Sequence, residues 1–308
     1  MRLGVDVGGT KTDAVVLTPT GEILTRMRRP TGWGADAVVD TIADVARELA
    51  HTVGIEPGEF AAIGVGMPGQ VAEASTTVTH AVNLGIDALD LDATIGARFG
   101  VPVHAENDVK AAALGAAALH GHAGALAYLN LGTGIAAGVV NAGRLWRGAR
   151  GTAGEVGHIS VDPHGPLCRC GQHGCIEAFS GGGALAERWG RPGALPVRDV
   201  FDAADAGDPV ARGFRDGFAF GVAAAVRVIV LSTDVETVVL GGGVSALGDR
   251  MLTLVVTELE ASAAASPFLR SLHLADRVEL LPAGSPAGAL GAALIGADIH
   301  EQETVAHG

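Results

Sequence analysis

The sequence predicts an α/β protein built from two related lobes, and three observations support this prediction. Nearly half of the 308 residues are apolar (48%) but only 4% are aromatic, which is typical of close helix–sheet packing. Short apolar runs with the character of strands alternate with longer segments of helical periodicity. A unit of strand, glycine turn and returning strand occurs at 3–17 and again at 125–140, which indicates an internal duplication.

The charge and the cysteine content exclude several classes of partner. A net charge of −13 argues against nucleic acid or an anionic membrane surface as the main partner. A nucleotide is still compatible, since it needs only local backbone donors and one or two cations. The chain starts directly in a strand without a leader, no apolar run looks long enough to span a bilayer, and no cysteine is left over for a disulfide. We therefore expect a cytoplasmic protein with no membrane partner.

The first hairpin is predicted from strands at 3–7 and 12–17, with a third strand at 22–28. Its turn, Gly8-Gly9-Thr10-Lys11, offers backbone N–H groups, a hydroxyl and an ammonium, which together can hold a phosphate without a following helix. The turn is not a Walker A loop, which has a longer glycine loop before a helix. An ordinary glycine-rich hairpin remains an alternative interpretation of this turn taken alone.

The remainder of the first half alternates helices with strands. Helices are predicted at 35–49 and 91–99, strands at 60–65 and 101–105, and a loop at 83–85. The strand at 60–65 ends in Gly66-Met67-Pro68-Gly69. A Gly/Pro loop at the carboxyl end of a strand is where open α/β sheets place ligands, so Gly66 is a candidate substrate-binding residue.

Glu106-Asn107-Asp108 follows the strand at 101–105 and precedes an alanine-rich helix that runs to about residue 119. Asp108 is a typical N-cap residue, and the sequence alone favours that structural role. The functional interpretation is a carboxylate at the end of the strand that points into a ligand-binding crevice. The two roles are compatible.

The second half begins with the hairpin at 125–140, whose turn is Gly132-Thr133-Gly134. A strand at 237–240 leads into Gly241-Gly242-Gly243, and a last strand is predicted at 278–281. Helices are predicted at 184–189, 197–208, 210–231 and 247–264, and a terminal helix of small residues at 286–299.

All three cysteines lie within eight positions, as Cys168, Cys170 and Cys175, and His158 precedes them. Three thiolates and one imidazole form a closed tetrahedral set for a structural Zn²⁺. A chance cluster of buried thiols is the alternative interpretation. Glu155 and Glu177 flank these ligands, and a rigid loop that presents carboxylates to solvent suits the binding of a polyol.

Two phosphate-type turns, an Asp at a strand end and a late glycine run together indicate phosphoryl transfer from ATP. The sequence resembles the ROK family of sugar kinases, bacterial glucokinases among them, over nearly the whole chain. The motifs that carry the resemblance are Asp6-Val7-Gly8-Gly9-Thr10-Lys11, Glu106-Asn107-Asp108, Leu131-Gly132-Thr133-Gly134, Gly154-Glu155-Val156-Gly157-His158, Cys-x-Cys-Gly-x2-Gly-Cys-x-Glu and Gly241-Gly242-Gly243.

The resemblance implies an actin/hexokinase-like ATPase fold with a cleft between two α/β lobes. The small lobe would span 1–106, joined by the terminal helix 286–299, and the large lobe with the zinc loop would span 107–285. A homodimer or homotetramer is the implied assembly.

For the sugar, the resemblance implies that Asp108 is the general base for the 6-hydroxyl and that Asn107 holds the neighbouring hydroxyls. The hydroxyls around the anomeric carbon would be bound by Glu155, His158 and Glu177. His158 would thus ligate zinc through one ring nitrogen and contact the sugar through the other.

For ATP, the resemblance implies that the phosphates lie along the two turns, at Gly8, Gly9, Thr10, Lys11, Thr133 and Gly134. Mg²⁺ would lie near Asp6, and adenosine would pack against Gly241, Gly242 and Gly243.

The sequence departs from the family pattern in three places. Ile86 follows Asn83-Leu84-Gly85 in the region where glucokinases often have a tryptophan, Ala136-Ala137 replaces glycines, and Lys110 stands where a small or amide residue is common. The first departure bears on the sugar. The sequence predicts glucose, with an N-acetylhexosamine (N-acetylglucosamine or N-acetylmannosamine) as the alternative.

Other functions within the same family fit the sequence less well. A DNA-binding repressor needs an additional domain and a less acidic chain, and a non-catalytic sugar sensor would not need Lys11, Asp108 and Glu155 together. Polyphosphate-dependent glucokinases generally lack the cysteine loop.

Overall fold

The computed structural model describes residues 1–72, 75–121, 124–191, 193 and 195–295. The described chain divides into two compact units, both of them discontinuous in sequence. The first comprises the described residues of 1–121 together with 138–153 and 284–295, and the second comprises 124–137 and the described residues of 154–283.

Thirteen strands are described, numbered here in chain order: β1 Arg2–Val7, β2 Lys11–Leu17, β3 Ile23–Pro30, β4 Ala62–Met67, β5 Gln70–Val71, β6 Thr77–Ala81, β7 Ile86–Asp90, β8 Val103–Asn107, β9 Ala125–Leu131, β10 Ile135–Asn141, β11 Arg144–Leu145, β12 Thr237–Gly241 and β13 Val278–Leu280. The described α-helices are α1 Ala35–Val53, α2 Ala97–Phe99, α3 Asp108–His120, α4 Ile176–Ser180, α5 Gly182–Trp189, α6 Pro196–Asp205, α7 Pro209–Thr233, α8 Asp249–Ala263, α9 Pro267–Ser271 and α10 at 287–295.

The first unit contains a five-stranded sheet in the order β3-β2-β1-β4-β8. β1 is antiparallel to β2 and parallel to β4, and β4 is parallel to β8. Leu3 and Val5 on one face of β1 are completely buried, and Gly4 between them is buried against Ala289 and Ala293, as expected of a central strand covered on two faces. α1 packs its face of Val38, Ile42 and Leu49 into the same core.

Within the second unit, β12 pairs in parallel with both β9 and β13. The long helix α7 has a buried face that includes Phe218, Val222 and Val226. Phe218 also makes an edge-to-face contact with Phe201 of α6, with ring centroids 5.6 Å apart. The unit thus combines a sheet with a core of helices.

One expectation about α7 is wrong. Contrary to the prediction that no apolar run is long enough to span a bilayer, Pro209–Thr233 passes that test by length and composition, with a mean hydropathy of 1.5. More than half of its apolar window, 56%, is buried within the protein. A buried core helix of this length satisfies the same criteria as a membrane span, and this burial accounts for the apolar composition.

Both predicted hairpins and the helices at α1, α3 and α7 are confirmed, whereas several smaller elements differ. The predicted helix at 91–99 is a π-helical segment, Asp92–Gly96, followed by the short α2. The helix predicted at 247–264 begins only at Asp249, after a 3₁₀ segment at Gly243–Leu247. The sequence did not predict α4 or the three-stranded sheet β5-β6-β7. The terminal helix is confirmed over 287–295; Pro286 precedes the helix, and 296–299 of the predicted range lie outside the described residues.

Candidate functional site

Three parallel strands of the first unit bring candidate residues into one row at their carboxyl ends. Asp6 of β1 lies opposite Gly66 of β4, and Gly66 lies opposite Glu106 of β8. Asn107 and Asp108 follow at once, and a Cβ placed on the buried Gly66 would lie only 3.7 Å from the Cα of Asp108. The strand end, the glycine loop and the two polar residues therefore meet in this unit, as expected for a ligand site on a parallel sheet.

Asn107, and not Asp108, is the N-cap of α3. The Asn107 Oδ1 accepts hydrogen bonds from the backbone N–H groups of Val109 and Lys110, at 3.0 and 3.2 Å. Its Nδ2 donates to the carbonyl oxygen of Gly69, at 3.1 Å, which ties the cap to the loop after β4. Asp108 is the first residue of the helix, and its Oδ1 accepts from its neighbour's N–H at 2.9 Å. The preference for Asp108 as the cap was therefore wrong, because Asn107 already has that role.

The surroundings of Asp6 favour its protonated form. Burial, the nearby carboxylates of Asp108 and Asp13, and an opposing effect of Lys11 together raise the pKa of Asp6 to about 7. The start of α10 comes close as well, since a Cβ on Gly288 would lie within 3.1 Å of the Asp6 Cβ. A partly buried carboxylate beside two others attracts a cation, so the position fits a Mg²⁺ ion.

The first turn, Gly8 to Lys11, connects β1 to β2, and most of it is exposed. The N–H of Gly8 donates to the carbonyl oxygen of Lys11 at 3.0 Å, which closes the turn on itself. The carbonyl oxygen of Thr10 accepts from Thr31 N at 3.1 Å. Gly9, Thr10 and Lys11 are exposed, so a hydroxyl and an ammonium face solvent.

Two buried charges beside Asn107 hold the segment at 138–153 within the first unit. Glu106 is only 4% exposed and accepts a hydrogen bond from the Arg147 Nε at 2.7 Å. Lys110 is also 4% exposed, and its Nζ donates to the carbonyl oxygen of Gly151. The departure from the family pattern at Lys110 therefore has a structural partner in this chain.

The second turn and the glycine run are neighbours in the second unit. Asn130 at the end of β9 pairs in register with Gly241 at the end of β12, so Gly132–Gly134 and Gly241–Gly243 continue from adjacent parallel strands. Thr133 lines a cavity of about 390 Å³ that is also lined by Glu177 and two arginines, Arg169 and Arg188. This volume is within the range of small-molecule sites.

The four predicted zinc ligands come together. One donor atom from each of His158, Cys168, Cys170 and Cys175 lies within 4.8 Å of the others. The His158 Nδ1 is 3.9 Å from the Cys168 Sγ, and the sulfurs of Cys170 and Cys175 are 3.6 Å apart. Tetrahedral Zn²⁺ with Zn–S bonds of about 2.3 Å needs donor separations of roughly 3.5–3.8 Å. The set fits zinc, with Nδ1 as the nitrogen on the metal side.

The two glutamates that flank the ligands have different surroundings. Glu155 is exposed and immediately precedes the 3₁₀ segment Val156–His158. Glu177 is partly buried in α4, and its Oε2 accepts a hydrogen bond from the backbone N–H of Ile135 at 2.9 Å. This contact was not predicted from the sequence, because the acceptor and the backbone donor are 42 positions apart.

The predicted site residues divide between the two units. In the first unit are Asp6, Gly8, Gly9, Thr10, Lys11, Gly66, Asn107 and Asp108. In the second are Thr133, Gly134, Glu155, His158, Cys168, Cys170, Cys175, Glu177, Gly241, Gly242 and Gly243. Each unit therefore holds one glycine turn with polar residues at the ends of its parallel strands.

Known proteins resemble this chain over most of its length. The profile of the ROK family matches residues 2–298. A glucokinase from Halalkalibacterium halodurans is 32% identical over 282 residues, 85% of this chain and 86% of that protein. An N-acetylmannosamine kinase from Escherichia coli O157:H7 is 33% identical over 298 residues, 95% of this chain and 97% of that protein. Among solved structures, a ROK family glucokinase from Streptomyces griseus in complex with glucose and AMPPNP has a TM-score of 0.73 and 31% identity, and the match covers 95% of this chain and 97% of that one.

Proposed function

The chain belongs to the ROK family and has the actin/hexokinase-like fold, and from this premise we propose that it transfers a phosphoryl group from ATP to the 6-hydroxyl of glucose. The observation that carries the proposal is the row of parallel strand ends in the first unit. In that row Asp108 lies near Asp6 and Gly66, and Asp6 belongs to the hairpin that also carries Lys11. A carboxylate, a cation and a glycine turn are the groups that phosphoryl transfer needs.

In the proposed reaction, the Asp108 carboxylate accepts the proton of the 6-hydroxyl while that oxygen attacks the γ-phosphorus. The bond from the γ-phosphorus to the bridging oxygen of ADP breaks, which gives the sugar 6-phosphate and ADP. Lys11 and the turn N–H groups stabilise the phosphate charge. Bound Mg²⁺ would neutralise further charge, and Asp6 is the carboxylate placed to attract it. The base need not be strong, since an ordinary aspartate is ionised at neutral pH.

For the sugar, we propose that Glu155, His158 and Glu177 bind the hydroxyls around the anomeric carbon. The imidazole geometry supports a double use of His158, because Nδ1 is the ring nitrogen 3.9 Å from the Cys168 Sγ, which leaves Nε2 for a sugar hydroxyl. Asn107 is already the cap of α3, with one amide N–H donated to Gly69. Its second amide hydrogen is the group that would reach a sugar hydroxyl.

An N-acetylhexosamine, N-acetylmannosamine above all, is the second candidate substrate. Relatives of both kinds are about equally similar to this chain, at 32% and 33% identity. Ile86 is only 4% exposed and therefore belongs to the core. The indole of Trp33 lies against the neighbouring turn instead, because a Cβ on Gly85 would lie 2.7 Å from it. Because the region where glucokinases often have a tryptophan is built differently in this chain, both kinds of sugar need to be tested.

We further propose one structural Zn²⁺ per chain, a homodimeric or homotetrameric assembly, and a cytoplasmic location in keeping with such a kinase. The zinc proposal rests on the four clustered donors, and the remaining two rest on the family resemblance.

The experiment that tests the function is a coupled assay of ADP release with a panel of sugars. Glucose, 2-deoxyglucose, N-acetylglucosamine and N-acetylmannosamine would be compared, with ATP, GTP and polyphosphate as donors. A site built around a sugar hydroxyl discriminates against analogues that lack it. We expect kcat/KM for glucose to exceed that for 2-deoxyglucose and N-acetylglucosamine by at least about tenfold, or roughly 1.4 kcal/mol. A higher value for either N-acetyl sugar would reverse the choice of sugar, and no turnover with any sugar would contradict the kinase proposal.

A further inference from the structure

The second glycine turn is held from outside by the segment that follows the zinc loop. The carboxylate of Glu177 accepts from the N–H of Ile135 at 2.9 Å, directly after the turn. The N–H groups of Gly182 and Gly183 donate to the carbonyl oxygens of Gly132 and Thr133, both at 2.9 Å. Three hydrogen bonds therefore fix both ends of a turn of three residues, leaving the side chain of Thr133 exposed.

The supporting segment is itself fixed at both of its ends. α4 begins directly after Cys175, which is completely buried, and Ile176 N donates to the carbonyl oxygen of Ile159 at 3.0 Å. At the other end of α4, the buried Ser180 Oγ donates to the carbonyl oxygen of Phe218 in α7 at 3.0 Å. Glu177 lies between these anchors, two positions after a cysteine of the predicted metal set. The short segment from Cys175 to Glu177 therefore connects the predicted metal set to the carboxylate that holds the turn.

We infer that Glu177 is a positioning residue for the nucleotide, and that through it the zinc loop sets the affinity for ATP. This inference rests on the proposed function, in which Thr133 and Gly134 line the phosphates. A glycine turn samples many backbone conformations when it is unsupported. If only a fraction of them aligns the N–H groups with a phosphate, the apparent affinity falls by that fraction. The carboxylate of Glu177 keeps the turn in one conformation before the nucleotide arrives, which removes this loss.

The direct test is the dissociation constant of AMPPNP with Mg²⁺, measured by calorimetry without sugar on zinc-loaded protein. Glu177→Ala removes the acceptor for the Ile135 N–H, and we expect the dissociation constant to rise at least about fivefold. Glu177→Gln keeps an amide oxygen as acceptor and should remain within about twofold of the wild type. Glu155→Ala is the matched control, since it removes the other carboxylate proposed for the sugar, and it should also remain within about twofold.

A second measurement separates positioning from general loss of structure. Cys170→Ser, which weakens the metal set, should raise the dissociation constant in the wild-type background. It should add little in the Glu177→Ala background, because the zinc loop and the carboxylate act through one contact. Zinc content and urea unfolding of the two Glu177 variants serve as the check that the fold and the metal are retained.

The outcomes are distinguishable. If the wild type binds AMPPNP and Glu177→Ala binds it equally well, the inference is overturned while the proposed function stands. If Glu177→Gln loses as much affinity as Glu177→Ala, the hydrogen bond from Ile135 does not position the turn, and the inference is again overturned. If the wild type binds no nucleotide, the proposed function itself fails.

Discussion

The two glycine turns occupy equivalent places in the duplicated pattern but are supported in different ways. The first, Gly8 to Lys11, is closed by its own Gly8 N–H···O=C Lys11 bond and by one bond from Thr31. The second, Gly132 to Gly134, is likewise closed by its own Gly132 N–H···O=C Gly134 bond at 3.1 Å, but it is held in addition by Glu177, Gly182 and Gly183 from a segment more than forty residues later in the chain.

The chemistry offered by the turns differs accordingly. The first carries an ammonium on Lys11, whereas the carboxylate of Glu177 lies at the second. A cation attracts phosphate from any direction, so a turn that carries one tolerates a looser backbone. The second turn carries no cation of its own, although Arg169 and Arg188 line the cavity beside Thr133, so it depends more on N–H groups that already point at the ligand. We conclude that the first turn contributes charge and the second contributes fixed geometry, and the predictions below test this division.

Removal of the metal should cause the largest loss of stability. Of the two turns, only the second should be affected by this removal. Cys170→Ser removes one of four ligands, and because structural zinc contributes directly to folding, we expect a loss on the order of 4 kcal/mol in the free energy of unfolding. Elemental analysis should give about one zinc per wild-type chain and much less in the variant, and urea unfolding measures the stability. Thr10→Ala on the first turn is the control and should keep both zinc and stability. Full stability in a zinc-free preparation would contradict the metal site.

The next largest effect should come from Asp108, which neither turn can replace. Asp108→Asn is nearly isosteric, so we expect sugar binding within about tenfold of the wild type, while kcat falls by at least about 10² because the general base is lost. Steady-state kinetics and calorimetry with the sugar separate these two quantities. An almost unchanged kcat would mean that Asp108 is not the general base and has only a structural role at the start of α3.

The sequence was sufficient for those parts of the site that depend on local patterns. Both hairpins were predicted because short apolar runs on either side of a glycine turn specify them locally. The cysteine set was predicted because its chemistry is visible in spacing and residue type. The row of Asp6, Gly66 and Glu106 was not predicted as such, because it depends on β1, β4 and β8 lying parallel in one sheet.

What the sequence did not show depends on distant backbone contacts. The N–H groups of Gly182 and Gly183 hold the second turn, and a backbone donor leaves no signature in residue type. The assignment of the cap to Asp108 was wrong because two adjacent residues both suit that role and only the geometry distinguishes them. The bond from Lys110 to the Gly151 carbonyl oxygen likewise joins residues 41 positions apart.

The raised pKa of Asp6, in the strand before the first turn, predicts that the stability difference between the wild type and Asp6→Asn depends on pH. The pKa of Asp6 is raised to about 7 in the folded protein, above its ordinary value of 3.8. Its contribution to stability is therefore present in full below pH 3.8 and is lost as the pH rises through about 7. Relative to Asp6→Asn, the wild type should lose about 2 kcal/mol of stability between pH 5 and pH 8.

Urea unfolding of both proteins at each pH, without Mg²⁺ or nucleotide, measures this difference. Comparison at the same pH cancels the titration of the zinc ligands, which both proteins share. Asp13→Asn serves as an intermediate variant. It removes a charge that contributes less to the raised pKa of Asp6 than burial or the charge of Asp108 does. A wild type that follows Asp6→Asn across the whole range would show that Asp6 is ordinarily solvated.

The cation of the first turn should account for about a tenfold change in KM for ATP, or roughly 1.4 kcal/mol. We expect Lys11→Met to raise KM for ATP by this amount and to leave zinc content unchanged. Because Lys11 is exposed, its interaction with phosphate is screened by salt. The wild-type KM should therefore rise between low and high KCl, and that of Lys11→Met should rise less. Equal salt dependence in both proteins would place the phosphate-binding charge elsewhere.

The smallest effect separates the two turns by packing alone. A Cβ on Gly9 would meet the Asn83 carbonyl oxygen at an ordinary 3.5 Å, whereas one on Gly182 would lie 2.9 Å from the Gly132 carbonyl oxygen. Gly9→Ala should keep the free energy of unfolding within about 0.5 kcal/mol, while Gly182→Ala should lose about 1 kcal/mol. The higher helix propensity of alanine opposes that loss, but Gly182 is the first residue of α5, where propensity counts little. Urea unfolding of this matched pair decides the point, and equal stabilities would mean that the second turn is no more tightly held than the first.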